Sequence, residues 1–108
     1  MNNVDLFQSI RKNYIEIFNS VIGSADINQV NVHGQNLLHE AVSFNNILMA
    51  KKLIKKGIYV NHQDAKSQTP LHYAASHQKK SFADLILING GVLDVEDDFG
   101  NQPLWTAV

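Results

Sequence analysis

The feature that most constrains this chain is a repeat with a period of 33 residues. At that offset, identical or related residues coincide in three successive segments: Asn31 with Asp64 and Asp97, Gly34 with Ser67 and Gly100, Leu38 with Leu71 and Leu104, and Ala41 with Ala74 and Ala107. Periods of this length are typical of solenoids, in which each unit buries its apolar face against its neighbours. The period therefore predicts an elongated stack of similar units.

The most specific motif lies in the third segment, where residues 64–75 read D-x-x-S-x-T-P-L-H-x-A-A. This motif resembles the ankyrin-repeat signature nearly letter for letter. Residues 31–41 keep the turn and the His but replace Thr-Pro with Asn-Leu, and residues 97–107 carry Trp105 in place of His. The resemblance implies an all-α ankyrin-repeat solenoid of stacked helix-turn-helix units with projecting β-turns.

The repeat boundaries divide one domain, residues 1–108, into four units. We expect a degenerate N-terminal capping repeat over 1–30, full repeats over 31–63 and 64–96, and the start of an incomplete repeat over 97–108. A terminal unit has no neighbour on one side, which accounts for a more polar, degenerate first repeat. We expect the open apolar end, with Leu87, Leu104 and Trp105, to be covered by further chain beyond Val108 or by self-association.

Local chemistry predicts helix pairs near residues 6–23, 37–56 and 70–89, with a further helix starting after Pro103. Thr69 is a good helix cap, and Pro70 follows it at the first helical position, where no N–H donor is needed. The chain reverses between the helices of a pair, at Asn13, Asn45 and Gln78. Asn tolerates the left-handed conformation that this reversal needs, whereas we expect Gln78 to be strained.

Composition excludes several classes of function. The chain has no cysteine and a net charge of −1, so it lacks thiolate metal ligands and the basic excess typical of nucleic-acid binders. No apolar run is long enough to cross a bilayer, and the N-terminus does not resemble a signal peptide. We therefore expect a cytoplasmic protein that binds neither nucleic acid nor membranes, with a host cytosol as the location if it is a bacterial effector.

The histidines do not form a catalytic or metal-binding motif. His39 and Glu40 begin like a zinc-protease helix, but Ser43 stands where the second His ligand is required. His39 and His72 lie one repeat apart and could share a metal. The family resemblance implies instead that each bonds the capping residue of its own repeat and a nearby backbone carbonyl. We expect no enzymatic activity, no metal and no cofactor.

The resemblance implies a non-catalytic module that binds another protein through its concave groove and its turn tips. The residues predicted to contact the partner are His33, Gln35, Glu40, Ser43, Lys66, Gln68, Tyr73, Ser76, His77, Asp98, Phe99 and Asn101. Tyr73 and Phe99 are the predicted anchors, because aromatic residues concentrate binding energy at interfaces. The alternative is that Tyr73 covers its own helix and that Phe99 packs on the next turn. As an anchor, Tyr73 is expected to tolerate truncation with little loss of stability.

Two narrower functions fit the same surface. The chain could be a bacterial effector or an immunity-type inhibitor that blocks its partner. Alternatively, it could be the N-terminal scaffold fragment of a larger ankyrin-containing protein whose activity lies elsewhere.

A group of lysines stands apart from the repeat signature. The group comprises Lys51, Lys52, Lys55 and Lys56, followed by Lys79 and Lys80 on the next unit. Their spacing predicts a basic strip on the outer side of a helix. The strip could dock an acidic protein, lipid headgroups or nucleic acid. We favour the simpler interpretation that the lysine stems cover apolar helix surface while their ammonium groups remain hydrated.

Overall fold

The computed structural model describes residues 5–103 and contains three consecutive pairs of α-helices within them. The helices are α1 Leu6–Arg11, α2 Ile15–Val21, α3 Leu37–Ser43, α4 Ile47–Lys55, α5 Pro70–Ser76 and α6 Lys80–Ile88. Over the same range the only β-pairing is an isolated bridge between Val30 and Asn36. The all-α prediction and its three helix pairs are confirmed, whereas the helix expected after Pro103 lies outside the described residues.

Side-chain caps begin the first helix of each pair. The side chain of Asp5 accepts a hydrogen bond from the Gln8 N–H at 2.7 Å. The side chain of Asn36 accepts from the His39 N–H at 3.0 Å, and in α5 the Thr69 hydroxyl plays the same part. Each cap satisfies an N–H group that the first turn of a helix leaves without an intrahelical partner.

The reversals within the helix pairs adopt the left-handed conformation that was predicted. The φ angles of Asn13, Asn45 and Gln78 are 58°, 58° and 56°. The residue after each reversal donates its N–H back to the preceding helix, as Lys79 does to the Ala74 carbonyl at 2.8 Å. Of the three reversal residues, only Gln78 is neither Gly nor Asn, so a long side chain is attached to a left-handed residue there.

The core runs continuously through the stack instead of forming one central cluster. The first helices stack on one another, α1 on α3 and α3 on α5, and α4 packs against α6. Ala41 and Ala74 are fully buried, and their small side chains let the first helices approach closely. The molecule measures 44 × 25 × 21 Å, as expected of a short solenoid.

Replacing Gln78 by Gly should stabilise the protein. A non-glycine residue at φ near +56° destabilises the folded state by about 1–2 kcal/mol. Glycine removes this strain, but its greater conformational freedom in the unfolded chain offsets part of the gain. We expect Gln78→Gly to raise the free energy of unfolding by about 0.5–1 kcal/mol in urea denaturation. Gln78→Ala keeps the Cβ and serves as the control, so an equal gain from Ala would contradict this explanation.

Candidate protein-binding surface

Three turns of the same geometry project from the stack and end in exposed tips. In the middle turn, the Asp64 carboxylate accepts hydrogen bonds from the Lys66 and Gln68 N–H groups, both at 2.9 Å. The Asp64 N–H in turn donates to the Gln68 carbonyl at 2.8 Å. Asn31 and Asp97 organise the flanking turns in the same way. This explains why the sequence period places Asn or Asp at the start of each turn.

Backbone hydrogen bonds join neighbouring turns into a ribbon. The Ala65 N–H donates to the His33 carbonyl, and the Asp98 N–H donates to the Lys66 carbonyl, both at 3.0 Å. At the first of these contacts Gly34 has a φ of +73°, and a Cβ there would lie 2.9 Å from the Ala65 nitrogen. A larger residue at Gly34 would therefore force the backbone of the two turns to shift at this contact.

Buried histidines attach each repeat to the turn of the next. His39 Nδ1 accepts from the Asn36 N–H at 3.1 Å, which leaves the proton on Nε2. Nε2 then donates to the Gln68 carbonyl of the following repeat at 2.8 Å. His72 makes the same pair of bonds, to the Thr69 N–H and the Asn101 carbonyl. The predicted bridge between cap and carbonyl is confirmed, and the carbonyl belongs to the next repeat.

The electrostatics of His39 fit a structural role. Burial lowers its pKa to about 4, although the hydrogen bond to the Gln68 carbonyl and the Asp64 charge oppose this shift. The imidazole is therefore neutral at pH 7, as the one-donor, one-acceptor arrangement requires. Across residues 5–103, no three His, Cys, Asp or Glu side chains are grouped so that they could hold a metal ion.

Tyr73 connects two repeats through its hydroxyl group. The hydroxyl donates to the Asp64 carboxylate and accepts from Gln35 Nε2 at 2.8 Å. The ring packs edge-on against His39, with ring centroids 4.6 Å apart. Burial and the Asp64 hydrogen bond raise the pKa of Tyr73. Burial alone would raise the pKa of Asp64, but the hydrogen bonds from Tyr73 and the turn N–H groups lower it.

Because of these contacts, truncation of Tyr73 does not test partner binding alone. Its ring is half-buried and both hydrogen-bonding capacities of its hydroxyl are used within the protein. Truncation of Tyr73 would leave Asp64 and Gln35 without their partner, so we now expect it to cost more stability than the sequence alone suggests.

Glu40 departs from its predicted exposure on the concave side. It is 5% exposed, and its carboxylate forms an ion pair with Arg11 at 3.0 Å. The Arg11 guanidinium also lies 5.8 Å from the centre of the Phe44 ring. Arg11 is the only arginine in the chain and is absent from the predicted contact residues. That rarity was the one available signal, since arginine suits paired and stacked positions better than lysine does.

The other predicted contact residues remain at the surface to different degrees. Gln35 and Gln68 are half-buried, and Gln68 Nε2 donates to the Asp97 carboxylate at 3.1 Å. The exposed members of the set are His33, Ser43, Lys66, Ser76, His77, Asp98, Phe99 and Asn101. Phe99 is the one phenylalanine among them, with 77% of its surface exposed.

Comparison with known proteins decides the family. A family model for ankyrin repeats, in three copies, matches residues 6–97. The chain belongs to the ankyrin-repeat family. Ankyrin repeats are protein-interaction modules. No helix within the described range is long and apolar enough to cross a membrane.

Several ankyrin-containing proteins are similar to this chain. Human protein phosphatase 1 regulatory subunit 27 is 30% identical over 94% of the chain, which spans 68% of that protein. The Drosophila melanogaster E3 ubiquitin-protein ligase Ufd4 is 35% identical over 76% of the chain, which spans 3% of the ligase. The vaccinia virus interferon antagonist OPG040 is 30% identical over 82% of the chain, which spans 31% of that protein.

The buried histidine should make stability depend on pH. The folded-state pKa of His39 is about 4, against 6.5 for an ordinary histidine, so the unfolded chain binds more protons between these values. The contribution of His39 to the free energy of unfolding is therefore fully present above pH 6.5. It falls as the pH drops toward 4, by up to about 1.4 kcal/mol per pH unit.

Urea unfolding between pH 7 and pH 4 measures this dependence. His39→Gln should show a shallower loss of stability than the parent chain, because the titrating group is gone. His33→Gln removes an exposed histidine from a turn tip and is the matched control. If His39→Gln keeps the full slope, another group is responsible.

Proposed function

We propose that this ankyrin chain binds one protein partner through the continuous surface formed by the turn tips and the helices α1, α3 and α5. The observation that carries the proposal is the hydrogen-bonded ribbon of turns, which fixes the backbone and leaves the tip side chains exposed. His33, Lys66 and Phe99 occupy equivalent positions in the three turns, and each is exposed. Because the backbone is already ordered, little conformational entropy is lost when a partner binds.

Exposed apolar residues give this surface its binding energy. Phe99 is 77% exposed, Val32 at another tip is 94% exposed, and Phe44 at the end of α3 is 46% exposed. None of these side chains belongs to the buried core of the described repeats. Large apolar side chains surrounded by polar groups are typical of interaction surfaces, and aromatic residues often dominate their energetics.

The relatives support a binding role without chemistry in the repeats. A human relative, of which the chain spans 68%, is named a regulatory subunit, and a viral relative is named an interferon antagonist. A narrower form of the proposal is that the chain inhibits its partner, as an effector or an immunity-type protein would. Stoichiometric inhibition of an identified partner would support that form.

The alternative is that the repeats are the recognition segment of a larger protein. The fly ligase supports this possibility, because the matching repeats make up 3% of its length. In that case the chain should bind its partner without changing the partner's activity. The length of the natural open reading frame separates the two forms directly.

Truncating Phe99 should weaken partner binding. The partner is first isolated by affinity capture and identified, and its affinity is then measured by isothermal titration calorimetry. Phe99→Ala should cost about 2 kcal/mol or more, because a real anchor loses its pocket contacts. Charge reversal at the exposed Lys66 should add to this loss.

Leu48→Ala is the matched control, since Leu48 is 54% exposed but lies on the second helix of its pair. It should leave the affinity unchanged. If Phe99→Ala and Lys66→Glu leave the affinity unchanged while Leu48→Ala lowers it, the partner uses the outer helices instead.

A further inference from the structure

A recess lies away from the turn tips, between the outer helices α2 and α4. It has a volume of about 390 Å³ and is lined by Asn19, Ile22, Gly23, Lys52, Lys55 and Lys56. Ile22 is buried and Lys52 is half-buried, whereas Lys55 and Lys56 are exposed. Three lysines therefore line a recess together with a buried apolar residue and an asparagine.

No carboxylate of the described residues forms an ion pair with these lysines. The ion pairs over residues 5–103 join Arg11 to Glu40 and Lys80 to Asp84. Neighbouring ammonium groups repel one another, so an unneutralised group of them favours a bound anion. Such a group also attracts anions from a distance when the ionic strength is low.

The repeat architecture does not require cations at these positions. One period later, the residues equivalent to Lys52, Lys55 and Lys56 are Leu85, Ile88 and Asn89. Ile88 is 83% exposed, so an apolar residue is accommodated at the position of Lys55. The basic character of the recess is therefore specific to this repeat.

We propose that this recess binds an acidic peptide segment of a partner protein. Carboxylate side chains match the three ammonium groups, and peptide backbone can hydrogen-bond to the Asn19 amide. From Lys52 to Lys56 the chain advances about 6 Å, which matches about two extended peptide residues and is too short to follow a nucleic-acid backbone.

Other features of the chain favour a peptide over an extended polyanion. The net charge of −1 provides no wider basic surface for a duplex or an anionic bilayer. The three lysines border a recess instead of a flat face. The recess is also separate from the turn tips, so it can be tested independently of the concave surface.

The test is a titration of the ¹⁵N-labelled chain with a hexaglutamate peptide at low ionic strength. Amide shifts are expected at Asn19, Ile22 and Gly23, with none at the turn tips. The variant Lys52→Gln, Lys55→Gln, Lys56→Gln should weaken binding about tenfold, since each exposed ion pair contributes a fraction of a kilocalorie. Lys55→Glu alone should weaken it as well and guards against a triple variant that folds poorly.

The matched control is Lys12→Gln, Lys51→Gln, Lys80→Gln, which removes the same charge from lysines that do not line the recess. It should change the affinity less than about twofold. Equal weakening by both triple variants, or shifts confined to the turn tips, would overturn the proposal. So would tighter, recess-dependent binding of phosphatidylserine vesicles or of duplex DNA.

Discussion

The contact on which most of the structure depends is the hydrogen bond from a buried histidine to a carbonyl of the next repeat. His39 Nε2 reaches the Gln68 carbonyl, and His72 Nε2 reaches the Asn101 carbonyl. In a solenoid each unit touches only its neighbours, so stability depends on how well consecutive units are attached. These histidines attach a helix of one repeat to the turn of the next. They thereby set the spacing of the turns that form the candidate binding surface.

The same attachment explains why the surface divides into structural and accessible side chains. Asp64 and Tyr73 lie on the concave side, but each is engaged with a group of its own or the preceding repeat. Lys66 and Phe99, at the outermost positions of their turns, are exposed. A partner therefore meets a hydrogen-bonded ribbon whose exposed side chains are the ones least needed by the fold.

The period of 33 residues was enough to predict the fold because it acts through local chemistry. The reversals at Asn13 and Asn45 and the cap at Thr69 depend on residues close in sequence, and all three were placed correctly. The pair between Arg11 and Glu40 joins residues 29 apart across two repeats. Its first partner lies in the repeat that has lost the signature, so neither the period nor the motif could align the two side chains.

The ion pair and hydrogen bonds that carboxylates form within the protein also affect the charge of the accessible surface. On the concave side, Glu40 pairs with Arg11, Asp64 accepts from Tyr73, and Asp98 accepts from Ser67 at 2.6 Å. Glu40 and Asp64 are therefore less available to a partner, whereas Asp98 and Lys66 remain exposed. The recess between α2 and α4 is basic for a different reason, since its lysines have no carboxylate partner in the described repeats. A chain with a net charge of −1 can thus present basic groups on both of its candidate surfaces, which favours partners with acidic segments.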